Sequence, residues 1–341
     1  MSKFIRVLSI DGGGIRGVIP GQILVELEEK LRKRSGNANA RIGEYFDMIA
    51  GTSTGGILAC AYLAPRHPGD PHPRFNAQEV VDIYREHGDQ IFNVPLHHRL
   101  RTLYGFMNEK YPSSGLEEVL DSYFGKMKLS QLMKPNLITA YDTGRRKSWF
   151  FRQQNAHKPS RNFFVKDVLL ATSAAPAYFE IAKVKAMSGK QFSFIDGGVF
   201  ANNPALCAYA EARIIFKKKD YPGLRATAID MVVVSLGTGR SAASYDYNKT
   251  KYWGLGHWAK PMMDMMMSGQ AETVDYQLRQ IYDSIESADQ YIRINTTLPK
   301  EMTGEMDDAS ANNIQALIDI GNKTAKKHNA DLNRIADMLL E

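Results

Sequence analysis

A serine stands at the centre of Gly51-Thr52-Ser53-Thr54-Gly55, between an apolar run at 46–50 and a second at 57–63. The pattern reads as strand, sharp turn, helix. It is the G-x-S-x-G arrangement that presents a nucleophilic hydroxyl above a sheet. Gly51 and Gly55, two residues either side, relieve crowding in a strained turn, and the helix N-terminus behind Ser53 favours developing negative charge. A serine hydroxyl needs a base to accept its proton. The bland alternative, an ordinary glycine-rich turn, is about as common as the functional one for this stretch alone.

A second stretch, Ser9-Ile10-Asp11-Gly12-Gly13-Gly14-Ile15-Arg16-Gly17, places three glycines after an apolar strand. With no Cβ to block approach, the N–H groups of Gly12, Gly13 and Gly14 are candidates for an oxyanion hole, with Arg16 adding positive charge or ordering the loop. Gly12, Gly14 and Gly17 also fit the G-x-G-x-x-G dinucleotide fingerprint. That reading wants an acidic residue at the end of the next strand, which here ends in Ala50-Gly51, so it is the minor one.

The usual base is a histidine that follows the acid in the chain. His257 precedes a helix-like run, and His328 sits beside two lysines at a helix end. Neither closes a strand. Asp196 does, in Phe192-Ser193-Phe194-Ile195-Asp196-Gly197-Gly198, so its carboxylate is expected at the rim of the sheet near Ser53. An ordinary aspartate, with a pKa of about 3.9, is a poor base near neutrality, and burial among apolar neighbours would raise it. Alone, Asp-Gly-Gly is most often a plain turn. Asn202, Asn203 and Pro204 follow closely and are expected to hold the Asp196 loop or to start the next helix.

These residues need a scaffold. Strands are predicted at 3–10, at 41–51, across 135–143 and 148–153 with a basic turn between them, at 191–196, near 231–236 and at 290–295. Helices are predicted at 20–34, after Gly55, through much of 77–134, over 165–179 with Pro176 as the stop, and from 204 onward. Residues 65–76, rich in proline and histidine, read as a loop with His67 and His72 in solvent. The alternation implies an α/β fold: a three-layer sandwich around a central, mostly parallel sheet. We expect a single domain over 1–341, with a motif-bearing core at about 5–210 and a C-terminal part at about 211–341 packed on it.

The composition sets outer limits. Hydrophobic residues make up 44% and charged residues 23%, as in ordinary globular chains. The net charge of +6 is scattered in short groups such as 145–147 and 217–219, without interleaved aromatics, so no nucleic-acid partner is expected and attraction to anionic membranes is secondary. Cys60 and Cys207 give neither a disulfide framework nor metal-ligand spacing. No metal and no cofactor are expected. The N-terminus enters a strand without an apolar leader, and no run reaches spanning length, so the expected location is cytoplasmic, peripheral to membranes at most. The methionine-rich stretch 258–270 reads as core twice as readily as acyl-channel lining.

Together, "DGGGIRG", "GTSTG" and "DGG", in this order and each at a strand end, resemble the patatin-like phospholipases. "LLATSAAPAYF" and the C-terminal "TGEMDDASANNIQALIDIGNKTAKKH" and "LNRIADMLLE" extend the resemblance over nearly the whole chain, the latter two to plant storage patatins. The resemblance implies a Ser53–Asp196 dyad without a catalytic histidine, an oxyanion hole at Gly12–Gly14, and metal-independent hydrolysis of acyl esters in membrane phospholipids or other lipids. The Gly17, Gly197 and Gly198 positions belong to the same motifs. Lacking the secretory leader of the plant proteins, the chain is expected to be an intracellular enzyme, not a storage protein. Acyl transfer from the same intermediate, or silent lipid binding, are the alternatives.

Overall fold

The computed structural model describes residues 4–91, 112–216, 226–242, 244–299, 302 and 305–341. Eight strands form one sheet: β1 (Ile5–Ile10), β2 (Met48–Gly51), β3 (Asn136–Asp142), β4 (Lys147–Phe151), β5 (Ala182–Lys185), β6 (Gln191–Asp196), β7 (Met231–Leu236) and β8 (Tyr291–Ile294). They lie in the order β5-β6-β3-β2-β1-β7-β8, with β4 also paired to β3. The run from β3 to β8 is parallel, while β4 and β6 run antiparallel to β3.

The central strands are apolar throughout because both faces are covered. Along β1, Leu8 and Ile10 enter one core and Ile5 and Val7 the other. Along β7, Val232 and Val234 face the first core, Met231 and Val233 the second. This period-two alternation makes the three layers that the sequence predicts. The first core takes side chains from α1 (Val18–Ser35), α2 (Thr54–Leu63), α3 (Ala77–Ile91), α4 (Ser114–Phe124) and α5 (Val165–Ser173). The second takes α6 (Ala205–Ile215) and the C-terminal half of α7 (Leu255–Asp283), through Leu278 and Tyr282. The last two helices, α8 (Ala311–Lys327) and α9 (Asn329–Leu340), return to the first core and pack on α1. Each fully buried Leu or Ile in these layers is worth about 1.5–3 kcal/mol of transfer free energy. Helix α1 stops at Gly36, whose φ of 69° is the left-handed C-cap that glycine adopts without strain.

The position of β6 differs from a simple parallel arrangement, and the difference builds the site. Ile138 pairs with both Gly51 of β2 and Phe151 of β4, so β2 and β4 lie on opposite edges of β3. Ala140, Tyr141 and Asp142 pair with both β4 and β6. Hence β6 shares an edge of β3 with β2. β3 overhangs the end of β2, and β6 runs down that overhang until it stops at Asp196, opposite Ala140. Two strands therefore meet end to end along one neighbour, each by its carboxyl end. Asp196 does sit at the rim near Ser53, but on a strand of opposite direction.

Three local expectations change. The strand predicted over 41–51 begins only at Met48, because Ile42–Tyr45 form a helical turn in which the Glu44 carboxylate accepts the Arg41 N–H. The helix predicted to run to Pro176 ends at Ser173. A residue before proline disfavours the helical region, and the Ala174 carbonyl accepts the Asp196 N–H instead of continuing the helix. Within 77–134 the described helices are α3 and α4; residues 92–111 lie outside the described residues, as does the basic group 217–219. The methionine stretch is not simply core: Met267 is buried, whereas Met262, Met265 and Met266 are exposed. The 65–76 loop is as predicted, with the largely exposed His67 beside Asp70 and His72 beside Glu44.

Candidate active site

β2 ends in a sharp turn at Ser53. Ser53 takes φ 53° and ψ −123°, a conformation that costs a non-glycine residue roughly 1–3 kcal/mol. Its neighbours explain why glycines flank it. A Cβ on Gly51 would lie 2.1 Å from the Gly55 carbonyl oxygen, and one on Gly55 would lie 2.2 Å from that of Ile10. The turn is tied down by threonines of two neighbouring elements, β3 and α5. The Ser53 N–H donates to Thr172 Oγ1 at 2.9 Å, and Thr52 Oγ1 lies 2.7 Å from Thr139 Oγ1 and 2.6 Å from the Ala201 carbonyl.

Asp196 is 4% exposed and lines the same cavity as Ser53. Gly198 N–H donates to its Oδ1 at 2.7 Å. Burial pushes its carboxyl up to about 7, although the Gly198 N–H and the Ser53 hydroxyl each favour the charged form. Gly197 is required by close packing, since a Cβ there would fall 2.0 Å from Thr139 Oγ1.

The three glycines at 12–14 divide their labour. The Gly12 N–H is occupied, donating to the Asn202 carbonyl at 3.0 Å, and its own carbonyl accepts from Thr238 Oγ1 at 2.7 Å. Gly12 is thus pinned on both sides beside Ser53 and is no free donor, contrary to the expectation for it. The N–H groups of Gly13 and Gly14 have no acceptor among the described residues, and both glycines line the Ser53 cavity. Gly14 has φ 58°, and a Cβ there would meet the Met306 carbonyl oxygen at 2.1 Å. Buried Arg16 aims its Nε at the Gly13 carbonyl, 3.3 Å away, so it orders the loop from behind. Asp11 is held by Arg293 through two bonds of 2.9 and 2.5 Å and is therefore committed to structure. Gly17 is a packing residue: its Cβ would strike Thr54 Oγ1 at 2.1 Å, beside the serine turn.

The cavity is a narrow apolar slot of about 60 Å³. Beyond the polar end at Ser53, Asp196, Gly13 and Gly14, its walls include Ile57, Leu116, Phe179, Met263 and Met267. Such a shape suits a single hydrocarbon chain with a polar group at one end. A larger cleft of about 920 Å³ lies behind the glycine loop, where Asp11 and Arg16 face it, and contains neither Ser53 nor Asp196. No histidine among the described residues lines the Ser53 cavity. His257 stacks on Trp253, and His328 is bonded to Asp331.

Several supporting residues escaped the sequence reading. Gln270, on α7, donates to the Val199 carbonyl at 3.0 Å and accepts from the Asn202 N–H at 3.2 Å. It therefore clamps the turn after Asp196, and through the Asn202 carbonyl the glycine loop as well. Nothing in a glutamine 74 residues beyond Asp196 signals this. Thr238, two residues past the end of β7, is more readable, because strand ends in such sheets border the site. Gln270→Ala is expected to lower kcat for a soluble ester about tenfold with KM little changed, and Gln270→Glu, which keeps the acceptor but loses the donor to Val199, to recover only part of it.

A mostly parallel α/β sheet with a strained serine between strand and helix, facing a buried carboxylate and a glycine loop, is a protein of the nucleophile-elbow class. Comparison with known proteins narrows this. Residues 8–209 match the family model for patatin-like phospholipase. The chain is 33% identical to Patatin-like protein 2 of Oryza sativa subsp. indica, over 96% of this chain and 85% of that protein. It is 31% identical to Patatin-like protein 3 of Arabidopsis thaliana, covering 97% and 83%, and 32% identical to Patatin-17 of Solanum cardiophyllum, covering 96% and 85%. The chain belongs to the patatin-like phospholipase family. That membership supports a lipid acyl hydrolase acting on acyl lipids, and no helix among the described residues is long and apolar enough to cross a membrane.

Proposed function

We propose that this chain hydrolyses carboxylic esters of phospholipids or lysophospholipids through a Ser53–Asp196 dyad, without a metal and by way of an acyl-enzyme. The observation that carries the reading is a carboxylate buried beside the strained serine in an apolar slot, where burial pushes it up to about 7. A carboxylate with that affinity for protons is a competent base near neutral pH.

The acyl chain enters the slot and its ester carbonyl comes to rest over Ser53. Asp196 takes the hydroxyl proton as Oγ bonds to the carbonyl carbon. The oxygen that becomes negative is received by the N–H groups of Gly13 and Gly14, which line the slot and have no acceptor among the described residues. Collapse breaks the ester C–O bond, and the departing alkoxide takes the proton from Asp196. Water then attacks the acyl-Ser53 carbonyl, giving its proton to Asp196. The second collapse releases the fatty acid and returns the proton to Ser53. We read α8 and α9 as parts of the same unit as this site, and the location as cytoplasmic with peripheral membrane contact.

The test is free fatty acid released from mixed phospholipid vesicles in chelator, measured by mass spectrometry, with Ser53→Ala alongside. Release by the wild type alone is the expected result. Equal release by both proteins, or none by the wild type on vesicles and short soluble esters alike, would sink the reading.

A further inference from the structure

Helix α7 is apolar on two sides at once. Its inner stripe, Met263, Met267, Ala271, Leu278 and Tyr282, runs from the Ser53 slot into the second core. Its outer stripe begins with Met262 and Met266, which are 50% and 42% exposed. The segment leading into the helix adds Tyr247 and Tyr252, the latter 84% exposed, with the Lys251 ammonium 5.0 Å from the Tyr252 ring centre. Of the eleven exposed large apolar or aromatic side chains among the described residues, seven fall within 245–276. That concentration is not the scatter expected of an ordinary surface.

We infer that this face, the 245–254 segment and the outer side of the first turns of α7, is an interfacial docking surface for a phospholipid bilayer. The inference rests on the lipid substrate reading above and names how substrate reaches that site. Three features choose the occupant. The patch is continuous with the slot, because adjacent residues of one helix, Met262 and Met263, face outward and into the slot. A shallow groove of about 460 Å³ lined by Phe200, Met265 and Met266 adjoins the turn that carries Asp196. The chemistry is that of an interfacial element: apolar side chains to enter the acyl boundary, tyrosines for the headgroup level, and the Lys251 ammonium held near the rings of Tyr247 and Tyr252. Charge is nearly balanced, with three lysines against four carboxylates over 244–276. Docking by this face is therefore driven by apolar insertion, not by attraction to anionic lipid, and is expected on neutral bilayers and to survive salt.

The experiment is co-sedimentation with dioleoylphosphatidylcholine vesicles, using full-length protein in the Ser53→Ala background so that no substrate is consumed. Met262→Glu/Met266→Glu is expected to lower the vesicle-bound fraction at least tenfold, and Tyr252→Glu alone several-fold. Raising salt from 0.1 to 1 M is expected to leave wild-type binding within twofold. In the Ser53 background, the surface variants are expected to hydrolyse a short soluble ester such as p-nitrophenyl butyrate at the parental rate while losing vesicle hydrolysis. Unchanged sedimentation of the double variant overturns the inference. So does release of the wild type by salt, or a concentration-dependent dimer that the double variant abolishes, which would assign the face to a second copy. Vesicle binding that depends on the patch in a protein that releases no fatty acid sustains the docking surface and rejects the hydrolase reading.

Discussion

Asp196→Asn is expected to lower kcat by at least about 10⁴-fold at pH 7.5 with the fold intact, the scale on which removal of one member of a nucleophile–base unit acts. The wild-type profile carries the reason. Burial disfavours the charged form of the carboxyl and pushes it up to about 7. Only the unprotonated form accepts the Ser53 proton, so kcat/KM is expected to fall tenfold per pH unit below about 7 and to level off above it. The same burial acts on stability with the opposite sense. The folded state holds the proton more tightly than the unfolded chain, so ionisation destabilises the fold as pH rises from about 4 through about 7. The gap between an ordinary carboxyl at 3.8 and this one at about 7 corresponds to about 4 kcal/mol. An asparagine keeps an oxygen for the Gly198 N–H and carries no charge, so the variant should melt several degrees higher than wild type at pH 8 and nearly level with it at pH 4. A profile of kcat/KM with full activity in Asp196→Asn, and its loss in His257→Ala, would transfer the role of base to the histidine.

Gly14→Ala should cost about 10²–10³-fold in kcat, the range seen when one oxyanion donor is misplaced. The added Cβ lands 2.1 Å from the Met306 carbonyl, on a residue already at φ 58°. That carbonyl also accepts the Ile15 N–H at 2.8 Å, so the clash cannot relax without moving the start of the helical turn that follows. The N–H groups of Gly13 and Gly14 then point away from the developing oxyanion. Binding of a non-hydrolysable lipid analogue should hold within a few-fold, since the apolar slot is untouched. Unchanged kcat with the analogue affinity lost would remove the loop from transition-state stabilisation and make it part of the substrate wall.

Much of this was legible in the residues because the local chemistry is severe. A serine at positive φ between glycines, and a glycine run after a strand, are written in sequence by steric necessity. The layers were readable for a related reason: strands buried on both faces have to be apolar without interruption, as β1 and β7 are. The direction of β6 was not, because an apolar run ending in aspartate looks the same whichever way it lies on β3. The division among Gly12, Gly13 and Gly14 was equally hidden. It depends on the Asn202 carbonyl, 190 residues away, capturing one N–H and leaving two. The threonines at 52, 139 and 172 carry no pattern of their own and acquire a role only once the strands are in register. Met262, Met265 and Met266 are exposed although the stretch reads as core, because methionine is apolar in sequence whatever covers it, and only the buried Met267 meets that reading.

The meeting of β2 and β6 along β3 turns the nucleophile–base spacing into a ruler marked in residues. Ile138 fixes the level of Gly51 and Ala140 fixes the level of Asp196. The interval between the two marks is one residue, Thr139, whose hydroxyl touches Thr52 and whose side chain leaves room only for glycine at 197. A slip of β6 by two residues would carry the carboxylate about 7 Å along the strand, out of reach of the serine. Changes in the long connections between Gly55 and β3, or between β4 and β6, do not alter the marks. Insertions there are expected to be tolerated and to retune which lipid is admitted, while the distance between Ser53 and Asp196 stays set by three consecutive residues of one strand.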